Sequence, residues 1–154
     1  MKKQFGNLTN EDFIIAPNIP LTPMEKDNIV KHKDYLNIVS ESIKAKVSVS
    51  KKSGHRPLAY ELSKNRSGGS EHTTYNILDR GAVDLIYNEK LLNELIKDKF
   101  YTRVCYYPNN GFIHADRKPF KTKGTRYYEC QSLKGSWSLK RVDYINSFHF
   151  TLIM

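Results

Sequence analysis

Arg103-Val104-Cys105-Tyr106-Tyr107, Pro108-Asn109-Asn110-Gly111 and Phe112-Ile113-His114-Ala115-Asp116 follow one another without a gap. The outer segments alternate with a period of two, and four turn-forming residues separate them, which predicts two strands in a hairpin-like connection. Upstream, Ala82-Val83-Asp84-Leu85-Ile86 reads as a buried strand. Asn88 caps the next helix, in which Leu91, Leu92, Leu95 and Ile96 share one apolar stripe. Earlier still, Val47–Ser50 alternates as a short strand, and Ser53-Gly54-His55-Arg56-Pro57 is a turn opening a helix through Leu62. Residues 65–70 form a loop. Thr22-Pro23-Met24-Glu25 carries a capping box with Pro in the first turn. Ile29, Leu36 and Ile43 recur every seven residues beyond it, with Val39 between, as in one long helix or two joined near Asp34. Downstream, Arg126–Cys130 and Ser136–Val142 are further strand candidates. Helices come first and strands later, so the expected class is α+β, with N-terminal helices packed on a small, mostly antiparallel sheet.

The chain has 154 residues and a mass of 17.9 kDa, the size of one domain. At 39% hydrophobic it can build a core. No apolar run approaches the roughly 20 residues of a membrane span, and the basic N-terminus lacks the apolar region of a secretory signal. Cys105 and Cys130 are too few for a disulfide framework and lack C-x-x-C spacing, so both are expected as free thiols. The net charge of +9 is unevenly placed: residues 117–141 hold eight Lys and Arg against Glu129 alone. Such a segment suits a polyanion, whether nucleic acid, an anionic membrane surface or an anionic cell wall. A solvated basic face accounts for the charge equally well.

No phosphate-binding glycine loop, dinucleotide fingerprint, H-E-x-x-H helix or nucleophile elbow is present. What remains is histidine and aspartate at the ends of elements. His72 follows a Gly-Gly-Ser loop, Asp84 interrupts an apolar strand, and His114 lies in another. A carboxylate inside Ala-Val-Asp-Leu-Ile is expensive to bury unless it is paired, hydrogen-bonded or bound to a metal. Two imidazoles and a carboxylate with a fourth position open make a catalytic zinc site. Without a metal, His72 is a loop residue, Asp84 a satisfied strand-end polar group and His114 a surface strand histidine.

The surrounding blocks resemble a known family. Ser53-Gly54-His55-Arg56-Pro57, Gly68-Gly69-Ser70-Glu71-His72, Gly81-Ala82-Val83-Asp84, Tyr107-Pro108 and Gly111-Phe112-Ile113-His114-Ala115-Asp116-Arg117 occur in the order found in the zinc D-alanyl-D-alanine carboxypeptidases. That family includes phage peptidoglycan endopeptidases and has the hedgehog/DD-peptidase fold. The resemblance covers residues 53–117 and implies zinc ligands at His72, Asp84 and His114. It also implies that Arg56 holds the substrate carbonyl or carboxylate, work suited to a permanent charge with fixed donor geometry. Asp116, on the strand face of His114, would orient that ligand or touch the zinc-bound water. As a structural residue it would pair with Arg103 or Arg117.

Two departures from the family pattern stand out. His72 and Asp84 lie twelve positions apart where the motif has seven, so Thr73–Arg80 carries an insertion, tolerable if it loops outward. Many members place Glu three residues before the second histidine as general base, and this chain has Gly111 there. Asn109 and Asn110 stand where carboxypeptidase members have a histidine. The base is therefore unassigned, with Asp116, Tyr107 and Asp79 as candidates. The expected molecule is a single zinc-peptidase-like domain over 1–154, with its core at about 22–117 and a basic, aromatic C-terminal extension at about 118–154. It would cut peptide bonds of bacterial peptidoglycan as a phage endolysin or virion-borne enzyme. Made without a signal peptide, it would meet the anionic wall polymer through 117–141. Two other readings stay open: a catalytically inactive zinc-binding protein of the same fold, and a basic nucleic-acid-binding protein.

Overall fold

The computed structural model describes residues 4–66, 68–121, 125–131 and 137–143, the last stretch as backbone. Five strands form one sheet in the order β1-β3-β2-β4-β5: β1 (Ala82–Ile86), β2 (Arg103–Tyr107), β3 (Phe112–Asp116), β4 (Thr125–Gln131) and β5 (Trp137–Asp143). Every pairing is antiparallel except β2 with β4. Three α-helices precede or interrupt the strands: α1 (Pro23–Ile43), α2 (Leu58–Ser63) and α3 (Glu89–Lys97). The α+β class read from the sequence is thus the class observed. The β2–β3 connection closes as a tight turn, with Asn110 and Gly111 both donating to the Tyr107 carbonyl and Gly111 at φ +68°.

The pleat of the sheet sorts its residues into two sets. Val83, Leu85, Val104, Tyr106, Ile113, Ala115, Tyr128 and Cys130 join the core with Ile29, Leu36, Val39 and the α3 leucines. Asp84, Arg103, Cys105, Tyr107, Phe112, His114, Asp116 and Glu129 occupy the alternate positions. Neither cysteine forms a disulfide, and one falls in each set.

α1 is a single continuous helix. Its start is the expected reciprocal box: Glu25 N–H donates to Thr22 Oγ1, and Thr22 N–H donates to Glu25 Oε1 at 2.8 Å. Its buried face is only half apolar, since Asn28, His32, Asn37 and Ser40 are buried beside Ile29, Leu36 and Val39. Each polar residue fastens a loop. Asn28 Nδ2 donates to the carbonyls of Tyr75 and Ile77, and Asn37 exchanges hydrogen bonds with the Leu8 backbone. Such bonds satisfy loop backbone that burial would otherwise leave unpaired.

The structure corrects two expectations. Val47–Ser50 forms no ladder strand, only a bridge from Val49 to Leu85. Ile86 N–H reaches Ser48 O and Asp84 N–H reaches Ser53 O, and between them the chain bulges away through a 3₁₀ turn (Ser50–Lys52). Lys51 and Lys52 there sit at φ 51° and 55°, in the left-handed region that non-glycine residues seldom occupy. The C-terminal segment is also more than an extension. β4 lies between β2 and β5, its Tyr128 and Cys130 belong to the shared core, and Arg126 is 3% exposed.

Candidate metal centre

Strand register alone brings two of the expected ligands together, because Asp84 of β1 is the cross-strand partner of His114 of β3. The third arrives on a 3₁₀ helix (Glu71–Asn76) whose cap, Ser70, accepts from His72 N–H. His72 Nδ1 lies 2.8 Å from the Gly54 carbonyl, which can only accept, so this nitrogen carries the proton and Nε2 keeps its lone pair. That Nε2 is buried, lies 3.3 Å from Asp84 Oδ1, and makes no aligned hydrogen bond. His114 Nδ1 approaches the same oxygen at 3.0 Å. One ligand atom from each of the three residues falls within 4.8 Å of the others, a group that could hold a metal ion. Bonds of about 2.0–2.1 Å in a tetrahedral site separate neighbouring donors by roughly 3.3 Å, so the donor set and its spacing fit a small cation.

Each ligand is braced by a further partner. Asp84 Oδ2 accepts from Ser53 Oγ at 2.9 Å and from Arg56 Nη2 at 3.0 Å, and Arg56 also donates to Ser53 Oγ. His114 Nε2 contacts Asp116 Oδ2 at 2.8 Å. That carboxylate is wholly buried, is clasped by Arg103 Nε and Nη2, and takes Lys118 N–H on its other oxygen. Asp116 therefore has the contacts of a group that orients His114, and the ion pair with Arg103 is made at the same time. The Arg56 guanidinium touches a ligand directly, with Glu61 on its far side at 3.4 Å. Glu61 is buried and also pairs with Arg66 at 2.6 Å.

The electrostatics follow from these contacts. Burial holds the His72 imidazole below its ordinary pKa despite Asp84, so it is neutral, as a ligand must be. Burial also opposes the charged form of His114, but hydrogen bonds to Asp116 and Asp84 outweigh it and push that imidazole up to about 9. For Asp84, burial is outweighed by the hydrogen bond from His114 and the other polar contacts of the site, which hold the carboxyl far below the usual carboxylate range. Without a cation, then, the His114 imidazolium bridges two carboxylates, with its Nε2 proton on Asp116 and its Nδ1 proton on Asp84. A cation accepting the His114 Nδ1 lone pair takes the Nδ1 proton's place.

Two adjoining cavities open on this centre and share Arg56, Asp84 and Phe112. The larger, 380 Å³, adds Lys51, Tyr60, Arg66 and Asn110 to its wall. The other, 320 Å³, is lined by His72 and His114 with Arg103, Cys105, Tyr107 and Glu129.

His72, Asp84, His114, Arg56 and Asp116 all converge here. Asp79 does not: it pairs with Lys31 on the surface. Nor does the Thr73–Arg80 insertion simply loop outward. Tyr75 is fully buried and its hydroxyl donates to Ala82 O, while Asn76, Ile77, Leu78 and Asp79 are exposed. Gly81, at φ +113°, passes so close that a Cβ would lie 2.8 Å from His32 Nε2. Of the basic segment, Arg126 is no surface charge, since its guanidinium donates to the carbonyls of Leu95, Ile96 and Tyr101. Arg117 lies 4.0 Å over the Phe100 ring. Lys123 and Lys134 fall outside the described residues, as do the side chains of Lys140 and Arg141.

Sequence reasoning missed Ser53 and Glu61 as braces and Glu129 as a cleft residue. Ser53 heads the Ser53-Gly54-His55-Arg56-Pro57 block, and Glu129 is the lone acid of a basic segment on a predicted strand, so both left a signal. Glu61 left none. Comparison with family models, with curated proteins and with solved structures found no match for this chain.

Proposed function

We propose that this protein is a zinc-dependent peptidase that hydrolyses peptide bonds of bacterial peptidoglycan, of the D,D-carboxypeptidase or phage endopeptidase type. The observation that carries the reading is the convergence of His72 Nε2, Asp84 Oδ1 and His114 Nδ1 at the junction of two cavities, each ligand braced from behind. Two histidines and one carboxylate are the donors of catalytic zinc. Bound there, the ion would lower the pKa of a water and polarise the scissile carbonyl.

The chain's own residues do the rest. Arg56 lines both cavities and presents a guanidinium beside the ligands, where it can hold a substrate carbonyl or carboxylate as negative charge develops. Lys51 and Arg66 add positive charge to the larger cavity, and stem peptides of peptidoglycan carry carboxylates. Asp116 keeps the His114 ring in one orientation by accepting from Nε2–H. Exposed Lys118 and Lys121 leave part of the 117–141 segment available to an anionic wall polymer. The site of action would be the bacterial wall, reached by a phage endolysin or by an enzyme carried in the virion. Among the described residues no helix is long and apolar enough to cross a membrane.

A catalytically inactive zinc-binding protein is the second reading, favoured by Gly111 at the position where many members of the resembled family carry their base. Zymography on purified peptidoglycan, with and without a chelator, separates the two. The proposal expects about one zinc per chain and a clearing zone that the chelator abolishes and added zinc restores. Full zinc content with no clearing would leave the inactive reading.

A further inference from the structure

We infer that Glu129 is the general base of this site, supplied from β4 in place of the residue that Gly111 cannot provide. The inference rests on the peptidase reading above and assigns its missing proton acceptor.

The argument begins with strand register. Asp84 pairs with His114, His114 with Cys105, and Cys105 with Glu129. These four residues form one row across β1, β3, β2 and β4, and all four side chains line the same cavity. Strands about 4.8 Å apart put the Glu129 Cα roughly 10 Å from that of His114. Both side chains rise from the same face of the sheet, and the 320 Å³ cavity that they line has room for a water and a scissile carbonyl.

Elimination then narrows the choice. Among the described residues, Asp84 and Glu129 are the only carboxylates lining either cavity. Asp84 is a ligand. Asp116 is fully buried and clasped by Arg103, and Glu61 is taken by Arg56 and Arg66. Of the other proton acceptors in the cavity, burial pushes the Tyr107 phenol up to about 12 and raises the Cys105 thiol as well, so both stay protonated at neutral pH. The Cys105 thiol donates to Glu129 Oε2 at 3.4 Å, a contact that ties the carboxylate to the row of cavity residues. Gly111 sits at the turn, where a Cβ would meet nothing within 4 Å, so a side chain there would have no wall to hold it.

In the step assigned to Glu129, the water oxygen bonds to the carbonyl carbon and one water proton passes to the Glu129 carboxylate. Glu129 returns that proton to the amide nitrogen as the C–N bond breaks. The second water proton follows by the same route, leaving a carboxylate and an ammonium group.

The test compares wild type, Glu129→Gln and Glu129→Asp on purified muropeptides, with released fragments quantified by mass spectrometry. Zinc content and binding of the uncleaved muropeptide are measured on the same samples. Glu129→Gln should keep about one zinc per chain and bind muropeptide within threefold of wild type, yet lose 10²–10⁴-fold in turnover. Glu129→Asp should fold alike and recover part of the rate. Turnover of Glu129→Gln within threefold of wild type overturns the assignment. Zinc loss in both variants also overturns it, because Glu129 would then support the metal. A zinc-loaded wild type that binds muropeptides without cutting them fails the peptidase reading itself, and the assignment falls with it.

Discussion

Acidification should destabilise this protein through His32, and the size of the effect follows from where that side chain lies. His32 is fully buried on α1 among Tyr75, Phe100 and Tyr101. Its Nε2 faces the Arg80 carbonyl at 3.2 Å and so carries the proton, while Nδ1 accepts from Tyr101 Oη–H at 2.8 Å. Burial drives the imidazole pKa down to about 3 against an ordinary value of 6.5, outweighing the hydrogen bond to Arg80. The unfolded chain therefore binds a proton that the folded chain refuses. Stability present above pH 6.5 falls as the pH drops and levels off only below about 3. Between pH 7.5 and 5.0 the loss from this group is about 2 kcal/mol, a figure that barely changes for any folded pKa below about 4. His32 also pins Arg80 and Gly81 between the first two ligands, so the same protonation loosens the metal centre. Urea denaturation of metal-free wild type and His32→Gln at both pH values isolates the term, because every other titrating group is common to the two proteins. With a urea dependence near 2 kcal/mol/M, the wild-type midpoint should fall by about 1 M more than that of the variant. Equal midpoint shifts in the two proteins would show that His32 does not carry the acid sensitivity.

Three further outcomes are expected. Asp116→Asn should remain folded but bind zinc about 10–100-fold more weakly, measured by competition with a chromophoric chelator, because the charge orienting His114 is gone. Unchanged affinity would leave Asp116 with only its ion pair. Gly81→Ala should cost about 1–3 kcal/mol in thermal or urea unfolding, since it combines a positive φ with a Cβ against His32 and Tyr75. A loss under 0.5 kcal/mol would mean that the loop yields freely. Arg126→Gln should cost about 3 kcal/mol by stranding carbonyls at the end of α3, whereas Lys121→Gln should stay within about 0.5 kcal/mol. Equal effects in these two variants would place Arg126 on the surface after all.

Much of this architecture was legible locally. The apolar strand at 82–86, strand alternation at 103–107 and 112–116 and the caps at Thr22 and Asn88 are short-range features, governed by the pleat, helix geometry and backbone hydrogen bonding. Asp84 was suspect for a local reason too, since a carboxylate in an apolar strand needs a partner. The pairings of those strands were not local. That Asp84 faces His114, that β4 joins β2 in parallel, and that Glu129 thereby enters the cleft depend on register between segments far apart in the chain. Period-two alternation is the same whatever strand lies beside it. The polar residues on the buried face of α1 were hidden for a related reason: Asn28, His32 and Asn37 bond to backbone of distant loops, and a periodicity weighted by hydrophobicity counts them as solvent-facing. Charge misled at Arg126 because a guanidinium that meets three carbonyls indoors is indistinguishable, in a sequence, from one in water. Residue types and element ends were thus written in the chain itself. Which side chains meet was decided only in three dimensions, where long-range pairing sets every donor–acceptor distance at the site.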